Sequence, residues 1–375
     1  MHRLLKNIVE ILFMFVLFAI CDLTGTEKYG LVLGFTLFFL ILGRKERWST
    51  DVLISISLPM VVYLIIGCFN AIIGANISMV TVKTVVFWLL PLLFAFSLYI
   101  YKKNDFWHIV DAEFIGSCLA YLAINARFLR YYLKVESIFS FAFGAFFLYY
   151  VSKKRWGYAA VAFWFLFITD KRITILSAFV GVMIRLFLKL FRNNKKIVYF
   201  IWGSVIALIN VYLWLICSGK FEYYTKGIGI NTNGRTEMYT QLMEWFEQPV
   251  FLVGKGLGIV ETLLKAWNIR TFANLHNDLL KFYVELGIIG LILFLLSYVV
   301  TFYLAERRFG EEKMCMMLTL SIYSMTLFAT DNVSIYILYL IPYYSILFAI
   351  LSPNQRDNTR KRIKNDRKNN SEDKR

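Results

Sequence analysis

Long apolar runs recur along almost the whole chain, and they restrict the fold more than any other feature of the sequence. These runs, separated by short polar gaps, extend from Leu5 to Ser352. A helix needs about 20 mainly apolar residues to cross the hydrocarbon core of a bilayer. Hydrophobic residues make up 59% of the 375 positions, whereas roughly half of a soluble domain is apolar. The sequence therefore predicts an all-α integral membrane protein.

The lengths of these runs predict about twelve transmembrane helices. No gap is long enough for a separate soluble domain, so residues 1–352 are expected to form one polytopic membrane domain. One gap is much longer than the others and makes a large loop over residues 219–278. Residues 353–375 are basic and nearly free of apolar side chains, which is typical of a disordered tail. The predicted spans are 7–23, 29–43, 52–74, 80–101, 106–125, 137–152, 156–170, 173–191, 197–218, 279–304, 314–330 and 333–352.

Lysine and arginine cluster in every second gap between the spans. Positive residues concentrate on the cytoplasmic side of membrane proteins, so the pattern predicts that both termini are cytoplasmic and that the large loop is extracytoplasmic. It also argues against nucleic acid as a partner, because the net charge of +16 is divided among separate loops rather than gathered on one basic face. Membrane lipids with anionic headgroups are the expected partners. The clustered residues are Arg44, Lys45, Arg47, Lys102, Lys103, Lys153, Lys154, Arg155, Arg192, Lys195, Lys196, Arg307, Arg308 and Lys313.

The five cysteines give no sign of a metal site. Each lies inside or at the edge of an apolar run, and the sequence has no Cys-x-x-Cys pair and no zinc-type Cys/His spacing. Small buried side chains are the simplest interpretation. We therefore predict no metal and no cofactor.

A second set of basic residues lies on the side opposite to the clusters, where membrane topology gives them no purpose. Lys171 and Arg172 occupy a very short turn after the seventh span, and Arg235 and Lys255 lie in the large loop. Cationic side chains there suit an anionic ligand. Two interpretations of the short turn stay open. Asp170 pairs with Arg172, or Arg172 points into a polar cavity, since ionisable groups at membrane depth are costly without a function.

The large loop contains a segment with the pattern of an amphipathic helix. The Asn-Thr-Asn-Gly sequence at 231–234 is typical of a turn and a helix cap, and Arg235 follows in the first helical turn. Met238 and Leu242 then recur at helical spacing. We expect a helix that lies on the membrane surface and ends before Pro249.

A glycine cluster follows this helix at Gly254, Gly256 and Gly258. It lacks the Gly-Lys-Ser/Thr ending of a P-loop. Two interpretations stay open: a tight turn whose exposed amides meet phosphate oxygens, or a plain turn.

The chain returns to the membrane at a polar segment that begins with His276. Asn277 or Asp278 can cap the new helix, and Asp278, Lys281 or Phe282, and Glu285 fall on one of its faces. Glu285 lies about two turns inside and cannot face lipid at low cost. Pairing with Lys281 four residues earlier is one explanation. The other explanation is that Glu285 takes part in catalysis together with His276.

In their order and spacing, these motifs resemble the O-antigen polymerase and O-antigen ligase superfamily. The resemblance covers about residues 165–290, and the pattern of about twelve spans with one late, large outer loop agrees with it. One position differs from the family pattern: Lys171 precedes Arg172, where the family tends to carry serine. The residues that carry the resemblance are Arg172, Arg235, Trp245, Pro249, Gly254, Gly256, Gly258, His276, Asn277, Glu285, Gly287 and Gly290.

The resemblance implies a GT-C-like membrane glycosyltransferase of the bacterial plasma membrane that uses undecaprenyl-pyrophosphate-linked glycans at the extracytoplasmic face. It favours a polysaccharide polymerase that joins lipid-linked repeat units of an O-antigen, capsule or exopolysaccharide. One alternative is an O-antigen ligase, which moves the finished glycan to lipid A-core or another acceptor. A flippase for the lipid-linked oligosaccharide is the second. A chain-length regulator and a flippase of the same pathway are the implied partner proteins.

The resemblance also implies a division of roles among the candidate residues. His276 accepts the proton of the attacking hydroxyl or fixes its position, and Glu285 and Asp278 orient it. Positive side chains stabilise the pyrophosphate leaving group in place of a metal ion, so metal-independent activity is expected. The implied substrate-binding residues are Arg172, Arg235, Lys255, Asn277 and Lys171.

Overall fold

The computed structural model describes residues 2–25, 27–43, 50–129, 131–132, 134–229, 234–246, 251–266 and 275–352. Within these ranges the chain forms fifteen α-helices and two short 3-10 turns, at Lys103–Asp105 and Val333–Ile335. The predicted basic tail at 353–375, the basic gap at 44–49, the predicted cap at 231–233 and the predicted helix stop at Pro249 lie outside the described residues.

Twelve of the helices correspond one to one to the predicted spans, and the other three, α10 to α12, lie in the large loop. The helices are α1 (His2–Leu23), α2 (Glu27–Gly43), α3 (Thr50–Ile73), α4 (Met79–Lys102), α5 (Phe106–Leu129), α6 (Phe139–Ser152), α7 (Trp156–Ile168), α8 (Arg172–Leu190), α9 (Lys195–Cys217), α10 (Lys220–Gly227), α11 (Arg235–Glu244), α12 (Ile259–Ala266), α13 (Asp278–Phe309), α14 (Glu311–Phe328) and α15 (Ile337–Leu351).

Several of these helices have the length and composition of membrane spans. Six described helices, α3, α4, α5, α8, α9 and α13, are long and apolar enough to cross a bilayer. Three shorter helices, α6, α7 and α15, are apolar as well. These helices confirm the predicted all-α membrane class, whereas the number of crossings stays a prediction.

The core is arranged around the last helix. Every residue of α15 is buried, and α15 packs against α3, α4, α5, α6 and α14. The outer helices instead expose large apolar side chains, such as Leu190 of α8 at 77% and Phe200 of α9 at 74%. Such surfaces suit a hydrocarbon environment, in which only helices and closed barrels satisfy the backbone.

Three acidic residues within two helices, α1 and α5, have partners inside the protein. Glu10 forms an ion pair with Lys102. Asp111 accepts hydrogen bonds from Arg155 at 2.6 Å and from the Tyr150 hydroxyl at 3.0 Å. The fully buried Glu113 accepts from Ser345 Oγ at 2.7 Å. These contacts join spanning helices to one another, which is the usual role of a partnered polar group in lipid.

Helix α13 is broken near its first third, at Gly287. This residue has φ 73° and ψ 178°, a conformation that is essentially limited to glycine. The segment 251–256 lies along the break. The amides of Lys255 and Gly256 donate to the carbonyls of Val284 and Glu285, at 2.8 and 3.1 Å. Non-helical backbone at membrane depth is tolerated where protein supplies such partners.

Two glycines permit this close backbone contact. A Cβ atom at Gly254 would lie 2.1 Å from the Glu285 carbonyl oxygen, and one at Gly287 would lie 2.5 Å from the Gly254 nitrogen. On the far side of the break, the Ile288 amide donates to the Phe251 carbonyl at 2.8 Å. The large loop is thus fastened into α13 by backbone hydrogen bonds on both sides of Gly287.

Candidate functional site

Four charged or polar side chains meet at the loop end of the bundle, the end that carries helices α10, α11 and α12. His276 Nδ1 lies 3.2 Å from Asp331 Oδ1. The other carboxylate oxygen of Asp331 lies 3.5 Å from Lys171 Nζ, which also donates to Glu136 at 2.8 Å. We call Glu136, Lys171, His276 and Asp331 the His276 cluster. It joins segments that are distant in the chain.

Three chain reversals place Lys171, His276 and Asp331 in this cluster. Lys171 precedes α8 and follows Asp170, whose φ is 49°. His276 itself has φ 53°, one residue before the cap of α13. Asp331 follows α14, and its carbonyl accepts from the Asp278 amide at 3.3 Å. Positive φ at a residue other than glycine is uncommon and concentrates at functional sites.

Asp331 is held as an anion in a largely buried position. Burial alone would raise its pKa. The hydrogen bond with His276, the charge of Lys171 and the Asn332 amide together outweigh burial and hold the pKa below its usual range. An ionised Asp331 favours the tautomer in which His276 Nδ1 carries the proton. The His276 side chain is 29% exposed, and its Nε2 has no hydrogen-bond partner among the described residues, so Nε2 can face a substrate.

Two tyrosines and Asn277 fix the backbone beside His276. The Tyr239 hydroxyl donates to the His276 carbonyl at 3.1 Å. Asn277 caps α13 by accepting from the Leu280 amide at 3.0 Å, and its Nδ2 donates to the Tyr212 hydroxyl at 2.9 Å. The Tyr212 hydroxyl in turn donates to the Ala329 carbonyl at 2.8 Å. The predicted cap is therefore confirmed at Asn277. The Asn277 side chain also bonds to Tyr212, so it helps to hold the backbone beside His276 in place.

Asp278 lies beneath this frame, fully buried. Its carboxylate accepts from the Ser334 amide at 2.8 Å and from Ser334 Oγ at 2.6 Å. These bonds tie the start of α13 to the turn between α14 and α15. The structure thus brings Asp278 close in sequence and space to His276, with both carboxylate oxygens engaged by Ser334.

The cationic candidates occupy different surroundings. Arg235 is half-buried at the start of α11, and its Nη1 donates to the Thr330 carbonyl at 3.0 Å, one residue before Asp331. Arg172 is exposed at the start of α8. Asp170 lies 3.6 Å from Lys134 and forms no ion pair with Arg172 among the described residues, so the structure does not support the first of the two interpretations of the short turn. Lys255 lies over the Phe251 ring, 5.0 Å from its centroid, in the segment that joins α13.

Glu285 belongs to a second buried group below the His276 cluster. Its carboxylate accepts from the Tyr63 hydroxyl at 2.5 Å and from the Gly258 amide at 2.8 Å. Lys281 forms its contact ion pair with Glu261 of α12, and its charge also acts on Glu285 without a direct ion pair between the two among the described residues. No hydrogen bond among the described residues joins Glu285 to His276. A fully buried carboxylate with two donors is suited to holding α12 and the glycine segment against α13.

Four successive amides of the glycine segment, from Lys255 to Gly258, donate to acceptors within the protein and are not free for a phosphate. The amides of Lys255 and Gly256 donate to α13 carbonyls, and the Leu257 amide donates to the Gly67 carbonyl of α3 at 3.1 Å. The Gly258 amide donates to Glu285. Of the two interpretations left open, the structure supports a structural turn, because backbone packing and the Glu285 carboxylate use these donors.

Helix α11 confirms the predicted loop helix but corrects its setting. Met238 and Leu242 are 2% and 0% exposed, and α11 packs against α9 and α10. Its apolar face is therefore covered by protein instead of lying on the membrane surface. This packing brings Arg235 and Tyr239, from one helix, to the two backbone segments that carry Asp331 and His276.

The residue most clearly missed by sequence reasoning is Asp331. Asp331 and Asn332 form the short gap between the last two predicted spans, on the same side as the large loop. A carboxylate in that gap indicates a functional site in the same way as the cationic turn at Lys171, because both place a charged side chain at the membrane edge. Tyr212 and Tyr239 gave no comparable signal, because tyrosines are frequent in this chain, at 23 positions.

Replacement of Asp331 by asparagine is expected to lower turnover about 10-fold or more, since His276 loses the anion that orients it. Because the pKa of Asp331 is lowered on folding, its charge stabilises the fold above the unfolded pKa of about 4 and loses this effect as pH falls below it. The difference in thermal stability between the wild type and Asp331→Asn, measured in detergent, should shrink as the pH falls below about 4. A difference that keeps its full size below about pH 4 would contradict this assignment.

Residues 157–295 match a protein-family model described as O-antigen ligase (Wzy_C). The matched region begins in α7 and ends inside α13, so it includes Lys171, Arg235, His276 and Glu285. Asp331 and Tyr63 lie outside it. No curated protein matches the chain significantly.

Proposed function

We propose, on the premise that residues 157–295 belong to the O-antigen polymerase and ligase superfamily, that the chain is a polysaccharide polymerase. In this proposal it joins undecaprenyl-pyrophosphate-linked repeat units by metal-independent glycosyl transfer at the extracytoplasmic face of the bacterial plasma membrane. The family supports polymerase or ligase activity in general, and the choice of polymerase is part of the proposal.

The observation that carries the proposal is the contact between His276 and the buried Asp331. His276 Nε2 takes the proton of the acceptor hydroxyl as the new bond to the sugar anomeric carbon forms. The bond from that carbon to the pyrophosphate oxygen breaks, and its electron pair leaves with the lipid pyrophosphate. Asp331 stabilises the imidazolium that results, because opposite charges at this distance attract strongly in a buried site.

Positive side chains near the cluster suit the leaving group. Arg235 is anchored through one guanidinium nitrogen to the Thr330 carbonyl, which leaves other donors of its planar fork for phosphate oxygens. Arg172 is exposed at the N-terminus of α8, a helix end that favours anions. Together they stabilise the charge that develops on the pyrophosphate as the bond between the sugar and the pyrophosphate breaks.

A ligase would use the same donor chemistry with a different acceptor. The two functions separate in a strain that lacks the wild-type gene. Loss of a polymerase leaves single repeat units on the terminal acceptor, whereas loss of a ligase leaves finished polymer on the lipid carrier. Gel analysis of the glycan after complementation with the wild type or His276→Ala distinguishes these outcomes.

Purified protein in detergent micelles tests the chemistry directly. With lipid-linked repeat unit as the sole substrate, we expect a ladder of longer lipid-linked glycans, also in the presence of a chelator. A ladder in micelles cannot come from a flippase, because no second compartment exists. A wild-type protein that binds the substrate and yields no longer product would overturn the polymerase proposal, and transfer only to an added lipid A-core acceptor would identify a ligase.

A further inference from the structure

An apolar groove of about 560 Å³ runs along the outside of the bundle between α8 and α9. Ile184, Val205, Leu208 and Met325 are among the residues that line it, and no lining residue is charged. Leu208 is 68% exposed, so the groove opens toward the side that faces lipid. Its walls offer a long hydrocarbon a protein surface instead of bulk lipid.

The packing of the two helices explains why the groove exists. The Trp202 indole donates to the Leu295 carbonyl of α13 at 3.0 Å, which fixes α9 against α13. Helix α8 packs mainly against α14, so the groove has α13 and α14 as its floor. Phe200 and Tyr212 both line it, and the rise of an α-helix between these positions is about 18 Å.

The upper end of the groove is part of the frame that holds His276. Tyr212 and Ala329 line the groove, and the Tyr212 hydroxyl donates to the Ala329 carbonyl at 2.8 Å. The same hydroxyl accepts from Asn277, the neighbour of His276. The Tyr212 end of the groove therefore lies at the site. The other polar lining residues, Ser204 and Thr326, donate their hydroxyls to carbonyls of their own helices, and the remaining lining is apolar.

We infer that this groove binds the first isoprene units of the donor's polyprenyl chain. The inference rests on the proposed function, since it assumes a lipid-pyrophosphate donor. The pyrophosphate must lie near His276 and Arg235, so the chain attached to it starts at the Tyr212 end of the groove. An uncharged apolar channel suits that chain, because packing against the protein walls replaces its contacts with lipid. An ordinary phospholipid chain has no pyrophosphate to place it there.

Filling the groove tests this assignment. Val205→Trp places an indole in the groove, and Val211→Trp makes the same change at a 54% exposed position of α9 outside the lining. Two donors with the same glycan pyrophosphate are compared, one on undecaprenol and one on a two-isoprene alcohol. For Val205→Trp we expect about a 10-fold rise in KM for the long donor and little change for the short one. Val211→Trp should behave as the wild type.

A binding measurement that needs no turnover completes the test. A photoreactive undecaprenyl pyrophosphate without glycan should cross-link to peptides of α8 and α9 in the wild type and in Val211→Trp, and much less in Val205→Trp. Cross-links elsewhere, equal competition by phosphatidylglycerol, or an unchanged preference for the long donor in Val205→Trp would overturn the groove assignment. A wild type that cross-links there but transfers no glycan would instead count against the proposed function alone.

Discussion

Replacement of His276 by alanine is expected to lower the turnover of lipid-linked glycan by about 10²–10⁴-fold, the usual contribution of a general base. The physical reason is that Asp331 orients one ring nitrogen of His276 and leaves the other for the acceptor hydroxyl. Turnover is measured as the initial rate of ladder formation with purified protein. KM for the donor should change much less, because His276 acts on the acceptor proton.

Two further variants give this prediction a sharp control. His276→Asn keeps a nitrogen near the position of Nδ1 and so retains a donor for Asp331, but it has no base. It should be as inactive as His276→Ala while unfolding at the wild-type temperature. His108→Ala alters a histidine in α5, near the opposite end of the bundle, and should leave turnover unchanged. Normal polymer from His276→Asn would remove His276 from the chemistry.

Replacement of Gly287 by alanine is expected to destabilise the protein strongly. A Cβ at this position would lie 2.5 Å from the Gly254 nitrogen, and overpacking of this kind typically costs about 1–3 kcal/mol. The backbone conformation of Gly287 adds about 1–3 kcal/mol of strain for any other residue. Thermal unfolding in detergent and the fraction of monodisperse protein measure the effect.

Gly203→Ala is the matched control for this change. Gly203 lies in α9, and a Cβ there meets no atom within 4 Å. Because alanine favours a helix over glycine by about 1 kcal/mol, this variant should be as stable as the wild type or slightly more stable. Equal stability of Gly287→Ala and Gly203→Ala would show that the contact between Gly254 and Gly287 is not needed for the fold.

The helices were predictable because lipid forces a simple rule on the sequence. A span must be apolar and satisfy its own backbone, so the twelve runs appear directly as apolar stretches bounded by charges. Helix α11 followed from the spacing of Met238 and Leu242. Its burial against α9 did not, since the same apolar face fits a membrane surface or a protein surface equally well.

The site was only partly predictable, because its members come from separate chain reversals. The local segment with His276, Asn277 and Asp278 carried its own polar signal. The partner of His276 is Asp331, 55 positions later, and only packing of α13 beside α14 brings the two together. Glu285 was singled out correctly as too costly to face lipid, but its partners Tyr63 and Gly258 lie far from it in the chain. Periodicity within one helix cannot reveal contacts of this range.

The break in α13 has a consequence for how the polypeptide is made. The glycine segment bonds to the Gly67 carbonyl of α3 and, through the Leu257 carbonyl, to the Thr81 hydroxyl of α4. Helices α3 and α4 leave the ribosome long before residues 254–258 are synthesised. The binding site for that segment on α3 and α4 therefore has no occupant until residues 254–258 have been synthesised, after α5 to α9. In the folded protein, this segment connects two helices that are made early with α13, which is made late.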